Sequence, residues 1–391
     1  MKLFSKILEQ SFWQVLGKGV TSLSTFIILG LVARNYGQEG TGIFTLALTY
    51  LAIFYLLADF GFNAHLLKDA RFEWQKLLGA RILWSVILVI LAIGLLPFLP
   101  FATPSFSQSI YFGSLAIIGS GIFVTCNLIF QSKLRYDLSV LALSIGTLTG
   151  LGVFALLIIQ KLTVPLLLIG HLSGWIIIAA TALFLVRKKI FPVFDFNYAL
   201  KLFKDSWPIA ATLALNVLYF RADAFIIAYF RPISDVGIYN VAYSVFQSAL
   251  VFPTFIMNSY YPMMLKSLGG IKRVGLGLVG LALLGTLITL LFAPLIIRIL
   301  TGGGFNGSVN SLQILSLGFP AYFLSSLLMW LLIAKNKYKL MLFVYMSGLI
   351  FNLILNLIFI PQYSYIAASW VTVISEYLIL AMQVMLIWGR R

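Results

Sequence analysis

Charge is scarce in this chain, and cysteine scarcer still. Only 10% of the 391 residues are charged, 11 are acidic, two are histidine and one is cysteine. The single cysteine, Cys126, excludes an intramolecular disulfide and a thiolate metal cluster, and neither a metal nor a cofactor is expected. The Gly-x4-Gly-Lys-Ser/Thr frame of a phosphate loop is missing too, because Gly17-Lys18-Gly19 stands alone, so no ATPase motif is present. Long polar stretches are also lacking, the longest being about 20 residues from Arg187 to Asp205. That leaves no room for a folded soluble domain, and the net charge of +16 therefore does not indicate nucleic acid.

What fills the chain is hydrophobic, at 61% of residues. Runs of about 20 apolar residues span a hydrocarbon core of roughly 30 Å. Twelve are found, near 11–33, 41–63, 80–100, 108–131, 138–159, 163–186, 206–230, 237–262, 274–300, 309–334, 339–360 and 364–388. Of the 27 basic residues, 21 fall at the termini or in alternate loops: Lys2 and Lys6, Lys68 to Arg81, Lys133 and Arg135, Arg187 to Lys204, Lys266 to Arg273, Lys335 to Lys339, and Arg390 and Arg391. The opposite loops hold only Arg34, Lys161 and Arg231. The positive-inside rule then places both termini in the cytoplasm, which requires an even number of spans. The first run, Ser11 to Val32, is longer than a signal-peptide core and has no small-x-small site after it, so it stays as a span.

The halves repeat. At an offset of 195 positions Ser11 matches Ser206, Gly42-Ile43-Phe44 matches Gly237-Ile238-Tyr239, Ala47 matches Ala242 and Asn63 matches Asn258. The expected fold is an all-α polytopic membrane protein, with twelve transmembrane helices in two six-helix lobes related by a pseudo-two-fold axis along the membrane normal. The lobes run from 1 to 190 and from 206 to 391. A cytoplasmic interfacial linker, 191–205, carries a short amphipathic helix over Asp195 to Lys204. Parallel repeats of this kind place a substrate site between them.

Candidate site residues are the polar groups that apolar spans can least tolerate. Gln14, Lys18, Thr21 and Thr25 share one face of span 1. Lys18 either snorkels to headgroups or offers positive charge to an anionic substrate. In span 7, Arg221 and Asp223 each cost about 2.5–3.5 kcal/mol at mid-membrane on insertion scales. Two residues apart on a helix, they point in different directions; Thr212, Asn216 and Tyr219 share the Asp223 side, and either residue can be the one that faces a cavity. Span 8 carries Tyr239, Tyr243 and Gln247, with Pro253 expected to kink it, and span 11 carries Asn352 and Asn356. Span 12 carries Tyr365, Ser369, Thr372 and Glu376 on one side. The substrate-binding candidates are therefore Lys18, Arg221, Gln14, Asn216, Tyr239, Tyr243, Gln247 and Asn352. Glu376, Asp223 and Asp59 are the candidates for coupling to a proton or sodium ion, with a structural hydrogen bond as the alternative role.

Three segments together resemble a known family. LVARNYGQEGTGIFTLALTYLAIFYLLADFGFNAHLLKDA, LYFRADAFIIAYFRPISDVGIYNVAYSVFQSALVFPTFIMNSYYPMML and FNLILNLIFIPQYSYIAASWVTVISEYLIL are similar to the second span, spans 7 and 8, and the last two spans of polysaccharide-export, O-antigen-type flippases. These belong to the multidrug/oligosaccharidyl-lipid/polysaccharide superfamily. The resemblance implies alternating access in a bacterial or archaeal cytoplasmic membrane, with an oligosaccharide on an undecaprenyl-diphosphate-type carrier as substrate. Membrane lipids and polysaccharide-assembly proteins such as a polymerase are the partners it implies. One departure stands out: where the family often has glycine after a proline-tyrosine pattern, this chain has Gln362-Tyr363-Ser364. A multidrug exporter of the same superfamily is the rival reading, followed by a membrane-embedded polymerase or glycosyltransferase.

Overall fold

In lipid every backbone amide must find its partner within the segment, so apolar runs of membrane length fold as helices. The computed structural model describes residues 2–66, 73–186, 191–267 and 270–388, and among these the protein is helical throughout. The helices are α1 (Lys2–Asp59), α2 (Phe62–Leu66), α3 (Trp74–Gly94), α4 (Pro104–Gly113), α5 (Ala116–Ser132), α6 (Tyr136–Ile159) and α7 (Val164–Val186). The remainder are α8 (Phe196–Phe230), α9 (Ile233–Ala249), α10 (Val251–Lys266), α11 (Ile271–Thr301), α12 (Asn306–Ser316), α13 (Phe319–Ala334) and α14 (Tyr338–Trp388). The basic residues Lys68, Arg71, Arg187 to Lys189, Arg390 and Arg391 lie outside the described residues.

By length and composition eight helical segments can cross a membrane, or ten with the bent pairs Phe196–Leu215 with Phe220–Phe230 and Asn306–Ser316 with Phe319–Ala334. Two of the eight, Phe12–Asp59 and Tyr338–Ile387, are 48 and 50 residues long, twice what one crossing needs. Each is broken once, α1 at Gly37 (φ 64°, ψ −162°) and α14 at Ser364 (φ 51°, ψ −137°). A count of twelve follows only when each broken helix is taken as two passes.

The chain divides into two compact units, residues 1–36 with 43–221, and residues 37–42 with 222–391. In the first unit, α6 and α7 cross on glycines. A Cβ on Gly150 would lie 3.1 Å from both the Gly170 carbonyl oxygen and the Gly174 Cα, and one on Gly146 would lie 2.6 Å from the Gly174 carbonyl oxygen. Paired small residues four apart let the two backbones touch, the usual basis of tight helix crossing in lipid.

The start of α8 belongs to this same unit. Asp195 Oδ1 accepts from the Tyr198 amide (3.0 Å) and its other oxygen pairs with Lys76 (3.1 Å), which together hold its carboxyl below the usual range. Beyond this cap Ala199, Leu202 and Ser206 are buried, while Phe196, Leu200 and Trp207 are exposed. The Phe203 ring packs at 4.8–5.0 Å from those of Phe60, Phe62 and Trp84. The amphipathic segment is therefore the first part of span 7 rather than a separate helix. The compact units divide at 221/222, while the 191–205 linker marks a different division, that between the sequence repeats.

In the second unit two of the breaks follow proline chemistry. A proline ring clashes with the carbonyl four residues earlier. Pro253 stands four beyond Ala249, where α9 ends, and Pro320 stands four beyond Ser316, where α12 ends before a 44° bend. The kink expected at Pro253 is thus a full interruption at Leu250.

Candidate functional site

Two polar clusters lie inside the second unit. In the first, Asp223 on α8 is 5% exposed and accepts on Oδ2 a short hydrogen bond from the hydroxyl of Tyr239 on α9. Its Oδ1 accepts from the Ala224 amide at 2.8 Å. Thr372 Oγ1 on α14 stands 3.4 Å from the same Tyr239 hydroxyl. The ring of Tyr243, one turn further on α9, lies 5.5 Å from that of Tyr239, and Phe246 continues the row at 5.8 Å. Tyr239 and Tyr243 are 0% and 2% exposed, so they form part of the unit's packed interior. Gln247 is half-buried.

The second cluster uses α14 on both sides of its break. Asn352 Nδ2 donates to Ser375 Oγ (3.2 Å), and Asn356 Nδ2 donates to Asn352 Oδ1 (2.9 Å). Glu376 is next to Ser375 and one turn from Thr372; it is 5% exposed and lies near the phenols of Tyr322 and Tyr345. Thr372, Ser375 and Glu376 therefore tie both clusters to one stretch of helix. Five of the sequence candidates, Asp223, Tyr239, Tyr243, Asn352 and Glu376, are buried polar groups of this unit, Gln247 is a half-buried one, and the break at Ser364 turns the chain so that residues 352 and 375 can meet.

The remaining candidates belong to the first unit. Gln14 and Lys18 are exposed on α1, and Thr21 Oγ1 back-bonds to the carbonyls of Gly17 (3.0 Å) and Lys18 (3.1 Å), so the hydroxyl has a partner without turning outward. Arg221 is half-buried on α8, and the side chains of Thr212, Asn216 and Tyr219 lie outside what the structure describes. Asp59 has a neighbour that the sequence did not suggest. Arg81, counted there with a basic loop, is a residue of α3 and 0% exposed. Its Nη2 donates to Asn63 Oδ1 (3.0 Å) and to the carbonyl and Oδ1 of Asp59 (both 3.3 Å). Its Nη1 donates to Thr125 Oγ1 (3.1 Å), and its guanidinium sits 5.4 Å from the Phe62 ring. His171, the intramembrane histidine, shares a 2.6 Å hydrogen bond with the Tyr55 hydroxyl. Among the described residues no group of three or more His, Cys, Asp or Glu side chains is arranged to hold a metal ion.

Residues 7–268, more than half of the chain, match the model of a family described as polysaccharide biosynthesis proteins. The chain belongs to that family. It is also similar, at 23% identity over 93% of this chain and 94% of the relative, to a Shigella flexneri protein described as a candidate O-antigen transporter. Among solved structures the lipid II flippase MurJ in an inward closed conformation superposes with a TM-score of 0.81, at 14% identity over 97% of this chain and 87% of that one. The MATE multidrug transporter DinF-BH superposes at 0.68, with 15% identity over 99% and 96%. At such identities these two likenesses establish the fold alone. This member of the polysaccharide biosynthesis family is accordingly all-helical and membrane-spanning.

Proposed function

We propose that the protein is a flippase. It moves a polyprenyl-diphosphate-linked oligosaccharide, such as an O-antigen or capsule unit, from the inner to the outer leaflet of the cytoplasmic membrane by alternating access. The observation that carries this reading is family membership in polysaccharide biosynthesis for a chain made almost wholly of membrane-length helices. A polymerase or glycosyltransferase usually brings a sizeable extramembrane loop or domain, and none is evident in the sequence. In this reading twelve spans form two lobes, 1–190 and 206–391, with both termini cytoplasmic, and the partners are membrane lipids and the polymerase and other proteins of polysaccharide assembly.

The chemistry of such a substrate sets the demands on the chain. A diphosphate bearing several sugars needs a polar path while its prenyl tail stays in lipid. Lys18 and Arg221 supply positive charge for the diphosphate, with Gln14, Asn216, Gln247 and Asn352 as polar groups along the path. Moving two negative charges outward against an inside-negative potential is downhill by about 2.3 kcal/mol per charge per 100 mV, so ion coupling serves chiefly to reset the carrier. Glu376 and Asp223 are the coupling carboxylates in this account, taking a proton or sodium ion. Asp59 already has the Arg81 charge beside it and is assigned a structural role.

Charge-assisted hydrogen bonds contribute about 1.5–3 kcal/mol each, so Lys18→Ala and Arg221→Ala should each cut surface glycan by about ten-fold or more at normal protein level. Unchanged surface glycan in both variants would remove the cationic path. The MATE likeness favours one rival, a drug exporter, which would instead move organic cations.

A further inference from the structure

The repeat offset reappears as a contact. Gly42 and Gly237 are 195 positions apart, and so are Gln38 and Ile233. A Cβ on Gly42 would stand 2.0 Å from the Ile233 carbonyl oxygen and 3.2 Å from the Gly237 amide nitrogen. One on Gly237 would stand 2.1 Å from the Gln38 carbonyl oxygen and 2.8 Å from the Gly42 amide nitrogen. Each helix thus presses its glycine onto the carbonyl one turn before the glycine of the other, in a reciprocal pattern. The joints before them are reciprocal as well, because α1 breaks at Gly37, and Pro232, 195 positions on, separates α8 from α9. Residues 37–42 are held to the second unit at a further point, where Gln38 Nε2 donates to the Gly304 carbonyl at 2.5 Å.

We propose that the Gly42–Gly237 crossing is the outer gate of the transporter, the backbone seal that closes over the translocated headgroup and parts to release it. The inference rests on the flippase reading and its topology, which put these helix ends on the non-cytoplasmic side. Two physical features suit the crossing to this task. A glycine packed on a carbonyl leaves no gap at the point of contact, so a diphosphate with sugars cannot pass between the two helix ends while they touch. The closest approach is also backbone against backbone, and its Cα–H to carbonyl contacts are worth only about 0.5–1 kcal/mol each, so parting them costs little. Gly37 and Pro232 are the joints about which the two helix ends turn.

The test uses full-length protein with Cys126→Ala, Gln38→Cys and Gly304→Cys in proteoliposomes. A short, reducible bifunctional thiol crosslinker should stop movement of a polyprenyl-diphosphate-linked oligosaccharide, reductant should restore it, and a long crosslinker between the same thiols should leave it intact. Movement at the uncrosslinked rate with the short crosslinker in place would overturn the gate. A second readout needs no substrate. Gly42→Ala and Gly237→Ala should each speed labelling of a Thr41→Cys thiol from outside, by similar factors because the contact is reciprocal, since Thr41 is fully buried in the closed form. Labelling unchanged in both would also overturn it. If the reduced protein moves no oligosaccharide while labelling responds as stated, the flippase reading fails and the gate stands.

Discussion

Arg81 illustrates how much one residue can carry and how little of that its sequence position reveals. Its neighbours Lys68, Arg71 and Lys76 make it look like the last charge of a basic loop. α3, however, starts at Trp74, which places Arg81 two turns into a helix. Its partners lie 18, 22 and 44 positions away, a set that no local pattern exposes. Arg81 is fully buried and Asp59 is 31% exposed, so removing the guanidinium costs about 1–3 kcal/mol through the hydrogen-bond acceptors it leaves unmet. Arg81→Ala should therefore unfold at markedly lower temperature in detergent. Arg81→Lys should recover only part of the loss, since a single ammonium cannot reach Asp59, Asn63 and Thr125 together. An Arg81→Ala protein as stable as the parent would mean the cluster contributes nothing. By contrast Asp223 and Glu376 were legible, because a carboxylate inside an apolar run stands out wherever its partners are.

At the scale of elements, the breaks matter more than the helices. α1 and α14 each turn at one residue with positive φ, and the first of these is glycine while the second is Ser364. The serine stays there through what its side chain does: its hydroxyl donates to Asp235, which also faces Arg231 at 3.6 Å, and Arg231 reaches the Pro361 carbonyl at 3.5 Å. Ser364→Gly removes backbone strain of about 1–3 kcal/mol and loses that hydrogen bond, so its stability should stay near that of the parent. Ser364→Ala keeps the strain and loses the hydrogen bond, and should be less stable by about 1.5–3 kcal/mol. Thermal unfolding with the alanine variant at or above the glycine variant would contradict this account of the turn. Apolar length announced the helices and Pro253 marked one interruption in advance. The break between α4 and α5, at Ser114 and Leu115, has no proline and was not legible. Nor was the fusion of the amphipathic segment with span 7, which depends on Ala199, Leu202 and Ser206 finding a surface distant in sequence.

At the scale of the molecule, the 195-residue offset of the sequence reappears in the structure at one contact. Sparse matches such as Gly42 with Gly237 become a reciprocal contact, and the two helix starts meet at the residues that match best. The compact units do not follow the repeat, because residues 37–42 and 196–221 each pack with the opposite half of the chain. Packing partners decide the units, and unlike matching positions they cannot be read from one sequence. Transport of a lipid-linked glycan can be followed by reconstituting the purified protein in sealed vesicles with a polyprenyl-diphosphate-linked oligosaccharide and detecting the arrival of the sugar at the opposite leaflet with an impermeant reagent. A flippase should move it at least an order of magnitude faster than empty vesicles do. The rate should respond to an imposed pH or sodium gradient, and a Glu376→Gln variant should still move the lipid but ignore the gradient. Movement no faster than in empty vesicles, from protein that does transport organic cations, would contradict the flippase reading.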